Sequence, residues 1–531
     1  MTETQASQAN PALRQRIGQA FELLRQQRLA DASQISAALL DAHAEHPEVL
    51  YLAAEVELAR NEPQRALELL DQAIALVPNQ PPLLLKKARV LLALRQRTTA
   101  RAVAAEVARL AVKDPHGLWA VGKLYNASND PRRARELFQQ ARAAGLRDPA
   151  MLYDLAAAEF FLGDFDSAEA HLDEMLQSSR AGQALYLRAT LRRQTPERNH
   201  IEDLEARLAI GFPDELGRAA CLYALAKECE DLGQTERSFR ALSEAAQLMR
   251  SLLQYDVASE CATIDAIADT WNAEAMQSET IGCEDEGAIF IVGMPRTGTT
   301  LVERMLDCHT EVSSAGELLD FGLLLARAAQ QAQARHPELS LVEASRQIDF
   351  AALGRDYMDG ARQAAGGSRC FVDKMPVNFL YCGLIRKALP KARIIHLVRD
   401  PLDSCYAVYK TLFNQAYNFS YDLTELADYY LSYHRLMAHW QRVMPDGVLN
   451  VHYEDLVMDT EGQARRVLAW CGLEWQPEVL DPAANERPAS TASAAQVREP
   501  VHTASIGKWQ AHAEGLAPLR DKLLAAGVVK G

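Results

Sequence analysis

The first 180 residues repeat one pattern of apolar and small positions with a period of 34 residues. Three columns keep this register: Pro47, Pro81, Pro115, Pro149; Ala32, Ala66, Ala100, Ala134, Ala168; and Ala20, Ala54, Ala88, Gly122, Ala156. Small residues are needed where the axes of two paired helices approach closely, and proline is tolerated in the first turn of a helix. The pattern therefore predicts stacked pairs of antiparallel helices, an all-α superhelical repeat domain.

This register resembles that of the tetratricopeptide repeat. A generic alanine-rich bundle would not hold three columns in one period over about 150 residues. The period ends near residue 180, and one further helix pair is predicted in residues 217–250, with Gly233 at its turn. A helix and an acidic linker, CEDEG, follow, so we assign residues 1–255 to the repeat domain and 256–287 to the helix and linker.

From Ala288 onward, short apolar runs alternate with amphipathic helical patterns. The runs predict four strands: AIFIV (288–292), RCFV (369–372), RIIHLV (393–398) and VLNVHY (448–453). Apolar strands separated by helices are typical of a parallel sheet covered on both faces. Residues 288–531 are therefore expected to form an α/β domain with a central parallel sheet, in which ligands bind beyond the carboxyl ends of the strands.

Composition and charge narrow the classes of function. The 531 residues are 48% hydrophobic and 24% charged, which is typical of a folded protein with several domains. The net charge of −15 argues against a nucleic-acid partner bound by the whole surface. The nine cysteines show no C-x-x-C pair and no zinc-ligand spacing, so we interpret them as buried free thiols and expect no metal.

No targeting or membrane-spanning segment is recognisable. The stretch MTETQASQAN lacks a basic segment followed by an apolar one, and no apolar run reaches about 18 residues. The sequence therefore predicts a soluble, cytoplasmic protein without membrane insertion.

The first predicted strand leads into IFIVGMPRTGTTLVERML, which almost completes a nucleotide-binding loop. Gly293, Gly298 and Thr300 match the G-x-x-x-x-G-K-[ST] pattern, but Thr299 occupies the lysine position. The N–H groups of such a loop and the positive end of the next helix attract an anion. Because the lysine that serves a γ-phosphate is missing and Arg296 lies in the loop, the sequence favours a metal-free anion with one terminal phosphate. A purely structural glycine turn is the alternative.

A second anion site is predicted where RIIHLV ends in Arg399-Asp-Pro. Apart from RIIHLVRD, where an arginine comes before the aspartate, we find no predicted strand that ends in an apolar run plus an aspartate of the magnesium-binding kind. A guanidinium at a strand tip can fork an anionic group, and Ser404 lies a few residues on. One nucleotide with two separated phosphate sites is implied. The alternative is a surface salt bridge followed by a turn.

Together, P-R-T-G-T-T-L after one strand and V-R-D-P after another resemble two motifs of sulfotransferases that use 3′-phosphoadenosine 5′-phosphosulfate, the 5′-phosphosulfate loop and the 3′-phosphate site. With its repeats, the chain is most similar to the tyrosylprotein sulfotransferases and to bacterial sulfotransferases with amino-terminal tetratricopeptide repeats. The resemblance implies the P-loop NTPase-like sulfotransferase fold, that co-substrate, an acceptor hydroxyl and no metal. It also accounts for the missing lysine, because a phosphosulfate has no γ-phosphate to bind.

The resemblance further implies roles for single residues. The family's catalytic glutamate matches Glu317, its lysine near the sulfuryl group matches Lys374 in FVDKMP, and its serine in the carboxyl-terminal segment matches Ser493. The cofactor-binding residues would be Pro295, Arg296, Thr297, Gly298, Thr299, Thr300, Arg399, Ser404, Tyr453, Gln496, Val497 and Lys508. Ala407 stands where many members have serine, and Thr411 where some have a basic residue. The 3′-phosphate site therefore has fewer phosphate-binding side chains than usual.

Several alternatives stay open. Glu317 is our candidate base, and Lys374 and Arg296 are the candidate cations. The alternatives are that Glu317 is a solvated surface residue and that Lys374 pairs with Asp373 or extends to the surface. His309 is the rival base; otherwise it caps a helix C-terminus. A repeat scaffold that has lost catalysis and a P-loop kinase, which Thr299 opposes, are the other classes of function.

The acceptor is the least determined feature: a protein tyrosine, a glycan or a small phenol would each supply a hydroxyl. Stacked helix pairs commonly hold an extended peptide, so we favour a protein or peptide acceptor bound in the repeat groove. The alternative is that the repeats form a homodimer or cover the catalytic domain and never meet the acceptor.

Overall fold

The computed structural model describes residues 11–111, 114–485, 487–488, 491 and 494–530. Two compact units separate along the chain, Met1–Ala158 and Glu159–Gly531. The helices between residue 159 and the first strand therefore group with the sheet. The domain boundaries near residues 255 and 288 stay predictions.

Helices begin at the repeated prolines, as predicted: Pro47, Pro81, Pro115 and Pro149 are each the first residue of a helix. The repeat helices are α1 (Pro11–Arg25), α2 (Leu29–Ala42), α3 (Pro47–Ala59), α4 (Pro63–Leu76), α5 (Pro81–Ala93), α6 (Arg97–Leu110), α7 (Pro115–Ala127), α8 (Pro131–Ala143), α9 (Pro149–Leu162) and α10 (Phe165–Ser178). Every alanine of the two small-residue columns is at most 2% exposed. The columns thus mark close helix packing, which confirms the helical repeat.

Six helices lie between the repeats and the sheet: α11 (Gly182–Thr190), α12 (Ile201–Ile210), α13 (Glu215–Asp231), α14 (Thr235–Ser251), α15 (Val257–Thr270) and α16 (Ala273–Gln277). The predicted pair is α13 and α14, and Gly233 has a left-handed φ of +71° at their turn. Two helices rather than one precede the linker, because the Asn272 side chain accepts the Ala275 N–H (3.1 Å) and starts a new helix.

Five parallel strands form one sheet in the order β2-β3-β1-β4-β5. They are β1 (Ala288–Gly293), β2 (Val312–Gly316), β3 (Cys370–Asp373), β4 (Arg393–Val398) and β5 (Leu449–His452). Four of them were predicted. The edge strand β2 was not, because its sequence VSSAG is short and mostly small or polar and so lacks the apolar run that indicates a strand.

Apolar side chains of the helical segments 299–307, 453–458 and 460–471 form a core with alternate residues of β1, including Ile289 and Ile291. The helices that follow β1 lie between and after the other strands. They are α17 (Thr299–Asp307), α18 (Asp320–Arg335), α19 (Leu341–Ala344), α20 (Phe350–Ala364), α21 (Cys382–Ala388), α22 (Pro401–Tyr409), α23 (Leu423–Val443), α24 (Tyr453–Met458), α25 (Thr460–Cys471) and α26 (Ala517–Ala525). Short 3₁₀ helices are Ser345–Gln347, Pro376–Tyr381, Asn418–Tyr421, Pro477–Leu480, Pro482–Ala484, Gln496–Arg498 and Lys508–His512.

Because all five strands are parallel, their carboxyl ends lie at one edge of the sheet. β1 lies in the middle, with β3 and β2 on one side and β4 and β5 on the other. In sheets of this kind the crevice for ligands opens where the strand order reverses. The loops after β1 and its neighbours are therefore the place to look for function.

Two further observations concern the described residues only. None of their helices combines the length and the apolar character that crossing a membrane requires. All nine cysteines are free thiols, as predicted, but only six are buried; Cys261, Cys308 and Cys471 are partly exposed.

Candidate functional site

The loop between β1 and α17 has the backbone of an anion-binding turn. Arg296 and Gly298 adopt left-handed φ angles of +67° and +98°. A β carbon on Gly298 would lie 2.6 Å from Cδ2 of Tyr453, so the aromatic ring packs directly on the loop and only glycine fits there. The Thr297 hydroxyl donates to the Met294 carbonyl (2.8 Å) and stiffens the turn. The free N–H groups at the start of α17 follow immediately.

A cleft of about 490 Å³ opens at the carboxyl ends of β1 and β4. Nine of the twelve predicted cofactor-binding residues line it, namely Arg296, Gly298, Thr299, Thr300, Arg399, Tyr453, Gln496, Val497 and Lys508. Pro295, Thr297 and Ser404 do not reach its wall. Ser493 lies outside the described residues. The fold thus gathers most of the predicted binding residues around one space.

Arg399 leaves the tip of β4 and is only 8% exposed. It donates from Nη1 to the Arg296 carbonyl (3.1 Å) and from Nη2 to the Ser505 carbonyl (2.6 Å), and its guanidinium lies 4.9 Å from the ring centroid of Tyr453. Its Nε and the Ser404 hydroxyl are buried without a hydrogen-bond partner in the part of the chain that the structure describes. A buried guanidinium with a donor to spare fits an anionic ligand.

Arg296 provides a second cation at the same cleft. Its Nη2 donates to Oε1 of Gln496 (2.8 Å), which joins the loop to the carboxyl-terminal segment. Burial lowers the pKa of Arg296, and the neighbouring Arg399 cation lowers it further. Two guanidinium groups that repel each other across one cleft favour an anion between them.

Asp403 is a site residue that the sequence analysis missed. It lies in the first turn of α22, and its carboxylate accepts the N–H groups of Gly507 (2.6 Å) and Trp509 (3.1 Å). These bonds hold Lys508 at the cleft wall. The available signal was the second aspartate of RDPLD, one helical turn after Arg399.

Glu317 and Lys374 come together beyond the ends of the neighbouring strands β2 and β3. Lys374 is 2% exposed, and its Nζ forms an ion pair with the Glu317 carboxylate and lies 3.7 Å from Oε2 of Glu303. Glu317 itself is 37% exposed. Burial opposes the charge of Lys374, but the carboxylates of Glu303 and Glu317 outweigh it and raise the pKa of the ammonium. Lys374 therefore stays charged beside an accessible carboxylate.

Asp373 corrects two points of the sequence analysis. In the described part of the chain it forms no ion pair with Lys374, and it shows that β3 ends in an apolar run plus an aspartate, whereas Arg399 comes before Asp400 after β4. Its carboxyl accepts hydrogen bonds from Tyr357 Oη (2.7 Å), Asn378 Nδ2 (3.2 Å) and the Leu318 N–H (3.3 Å). Burial raises the pKa of Asp373 to about 7. The group is enclosed and fastens the backbone next to Glu317 to β3.

Glu303 was also missed. It lies on α17, its Oε1 accepts the Ser314 hydroxyl (2.5 Å), and burial raises its pKa although Lys374 opposes this. Within the sequence LVERML, Glu303 cannot be distinguished from any other helical glutamate. Its proximity to Lys374 is apparent only in the folded structure.

His309 does not have a nitrogen available for acid–base chemistry. Its Nδ1 accepts the Glu311 N–H (3.2 Å), and its Nε2 lies 3.0 Å from the Glu474 carbonyl, to which it donates. The ring is 2% exposed. It fastens the chain just after α17, so the geometry favours Glu317 over the rival base.

Comparison with known families agrees with the class of protein that the fold and the candidate site indicate. Residues 288–477 match the model described as "Sulfotransferase family", and residues 47–90 match the tetratricopeptide repeat. The resemblance predicted from the sequence, to sulfotransferases with tetratricopeptide repeats, is thereby confirmed.

Particular relatives are distant. An "Uncharacterized protein" of Aquifex aeolicus is 26% identical over 411 residues, which are 76% of this chain and 54% of that protein. Protein-tyrosine sulfotransferase 1 of Danio rerio is 26% identical over 253 residues, which are 43% of this chain and 66% of that protein. The chain thus spans less than two thirds of the length of these relatives. The solved sulfotransferase domain from the Synechococcus PCC 7002 olefin synthase is 20% identical with a TM-score of 0.33, covering 44% of this chain and 91% of that domain.

Proposed function

We propose that this protein is a sulfotransferase that moves the sulfuryl group of 3′-phosphoadenosine 5′-phosphosulfate to an acceptor hydroxyl. One observation carries the proposal. A cleft at a phosphate-type loop without its lysine collects Arg296, Arg399 and Lys508. The Glu317–Lys374 ion pair lies at the same edge of the sheet, beyond the ends of β2 and β3, the two strands on one side of β1.

The anionic groups of the nucleotide have separate contacts in this proposal. The N–H groups of the loop and of the α17 start, together with Arg296, hold the phosphosulfate. Arg399 donates to the other phosphate from Nε, its remaining donor, and the Tyr453 ring packs near both the Arg399 guanidinium and Gly298. When bound, the co-substrate supplies the activated sulfuryl group: the bond from its sulfur to the bridging phosphate oxygen breaks as the bond to the acceptor oxygen forms, and adenosine 3′,5′-bisphosphate leaves.

The chain's own groups manage the proton and the charge. Glu317 accepts the proton of the acceptor hydroxyl at its exposed carboxylate, and Lys374 stabilises negative charge that develops nearby. Ser493 assists in the same role by family analogy. The roles of Glu317 and Lys374 agree with their exposure, because the base must contact the acceptor whereas the cation need not.

For the acceptor we propose a tyrosine of a protein or peptide. Support comes from the tetratricopeptide match, since such repeats commonly bind extended peptides, and from the Danio rerio relative named protein-tyrosine sulfotransferase 1. A glycan or small phenol is the alternative acceptor.

Two experiments test the proposal. Calorimetric titration should show binding of adenosine 3′,5′-bisphosphate in a buffer without magnesium. ATP, titrated separately in a buffer with magnesium and no chelator, should bind more weakly. Preference for ATP with magnesium would indicate a kinase, and binding of neither nucleotide a lost site.

The acceptor is tested by incubating the full chain with ³⁵S-labelled co-substrate and a lysate of the source cell, with Glu317→Gln as the inactive control. Label in tyrosine sulfate of polypeptides would support a protein acceptor. Label only in glycans or small molecules would refute it.

A further inference from the structure

One wall of the cleft is formed by residues that lie outside the recognised motifs. Arg193, Lys227 and Glu230, from the helical segment before the sheet, line it together with Lys410, which directly follows α22. The helical segment and the strand ends therefore enclose the same space.

Lys410 is fixed in this wall by Glu230 of α13. Its Nζ lies 2.8 Å from both carboxylate oxygens of Glu230, and the Tyr406 hydroxyl donates to one of them at 2.9 Å. The ammonium also lies 4.8 Å from the centroid of the Tyr406 ring. A lysine held by a carboxylate and an aromatic face has little freedom to leave the cleft.

Ala407 and Thr411, the two positions that depart from the family pattern, do not themselves replace the serine and the basic residue found in other members. The Thr411 hydroxyl donates to the Ala407 carbonyl one helical turn earlier (2.8 Å) and is buried, and Ala407 has no polar side-chain atom. Lys410 stands one residue before Thr411, at the point where the helix has ended. The cation that the motif lacks is therefore present in the cleft at a shifted position.

Charge supports the same conclusion. Burial lowers the pKa of Lys410, Glu230 opposes this, and the cations of Lys508 and Arg296 lower it again. Seven basic side chains line this cleft (Arg192, Arg193, Lys227, Arg296, Arg399, Lys410 and Lys508), against four carboxylates (Glu230, Asp231, Asp403 and Glu499). Such an excess of positive charge fits a ligand with more than one anionic group.

We propose that Lys410, positioned by Glu230, contacts the second phosphate of the nucleotide beside Arg399, so that the helical segment before the sheet is part of the nucleotide site. This inference rests on the proposed function. Loop amides and Arg296 hold one anionic group, and Arg399 with Lys410 holds the other.

The test compares two nucleotides that differ by one phosphate. Adenosine 3′,5′-bisphosphate and adenosine 5′-monophosphate are titrated calorimetrically into the full chain and into Lys410→Met. We expect Lys410→Met to weaken bisphosphate binding roughly ten- to hundredfold, as for other charge-assisted hydrogen bonds, and monophosphate binding less than about threefold. Lys391→Met is the matched control, since Lys391 pairs with Glu286 (2.8 Å) and does not line the cleft. It should bind both nucleotides as the unmodified chain does.

Glu230→Gln tests whether the Glu230 carboxylate positions the Lys410 ammonium or only packs against it. Removal of the carboxylate lowers the pKa of Lys410, so bisphosphate binding should weaken at a lower pH than in the unmodified chain. Ligand protection provides a measurement on the unmodified chain should Lys410→Met fold poorly. The bisphosphate should protect Lys410, but not Lys391, from acetylation by acetic anhydride as read by mass spectrometry.

The outcomes are distinguishable. Equal weakening of both nucleotides, unchanged binding by Lys410→Met, an unaltered pH dependence in Glu230→Gln, or labelling of Lys410 that the bisphosphate leaves unchanged would each overturn the assignment while leaving the proposed function intact. Failure of the unmodified chain to bind the bisphosphate would overturn both.

Discussion

Arg399 is the residue whose replacement tests the nucleotide site most directly. Its guanidinium joins the loop after β1 to the carboxyl-terminal segment through the carbonyls of Arg296 and Ser505, and Nε remains as a buried donor. Arg399→Ala therefore removes two internal hydrogen bonds and the groups that would contact a phosphate. The change should affect both stability and affinity, by amounts that can be separated.

The magnitude follows from these contacts. Each bond to a backbone carbonyl contributes about 0.5–1.5 kcal/mol, so the free energy of unfolding should fall by about 1–3 kcal/mol. A hydrogen bond between charged partners is worth about 1.5–3 kcal/mol, so the dissociation constant of adenosine 3′,5′-bisphosphate should rise roughly ten- to hundredfold. Arg399→Lys should fall between the two proteins, because lysine keeps the charge but cannot fork two acceptors.

Calorimetric titration measures the dissociation constants, and urea unfolding checks that each variant is folded at the temperature used. Arg435→Ala is the matched control: Arg435 is 57% exposed and pairs with Asp265 (3.0 Å), a surface ion pair worth about 0–1 kcal/mol. Bisphosphate binding by Arg399→Ala that equals that of Arg435→Ala would remove Arg399 from the site and refute the reasoning.

Three further predictions concern the carboxylates. Glu317→Gln should retain bisphosphate binding but lose about 10²–10⁴-fold in turnover, measured by transfer of ³⁵S-sulfate; a loss of that size in His309→Ala instead would show that the base is misassigned. Glu303→Gln should make turnover decline at a lower pH on the basic side, because Lys374 loses a carboxylate that raises its pKa; a pH–rate profile equal to that of the unmodified chain would contradict this. The pKa of Asp373 is raised to about 7, so the folded state holds a proton that the unfolded state releases, and stability should fall as pH rises from about 4 to 7 and then level off. Asp373→Asn should flatten this fall in urea midpoints, and an equally steep fall in that variant would assign the effect to other groups.

The sequence by itself determined the periodic parts of this protein. The 34-residue columns and the apolar strands β1, β3, β4 and β5 were readable because helix and strand periods are local properties of the chain. The edge strand β2 was not, since VSSAG carries no apolar run and forms a strand only by pairing with β3. The loop after β1 was equally readable, because its glycines, Arg296 and the start of α17 are contiguous.

Only the tertiary structure decided how the site is completed. Lys410 and Glu230 are 180 residues apart, and Asp403 and Gly507 are 104 residues apart, so no local pattern could indicate that they meet. The identity of a lysine or a glutamate does not reveal its role, because most such residues are solvated at the surface. A lysine or glutamate acquires a role when it is buried beside a specific partner. Burial and the partner arise only when the parallel strands bring their carboxyl ends to a single edge and the preceding helices pack against it.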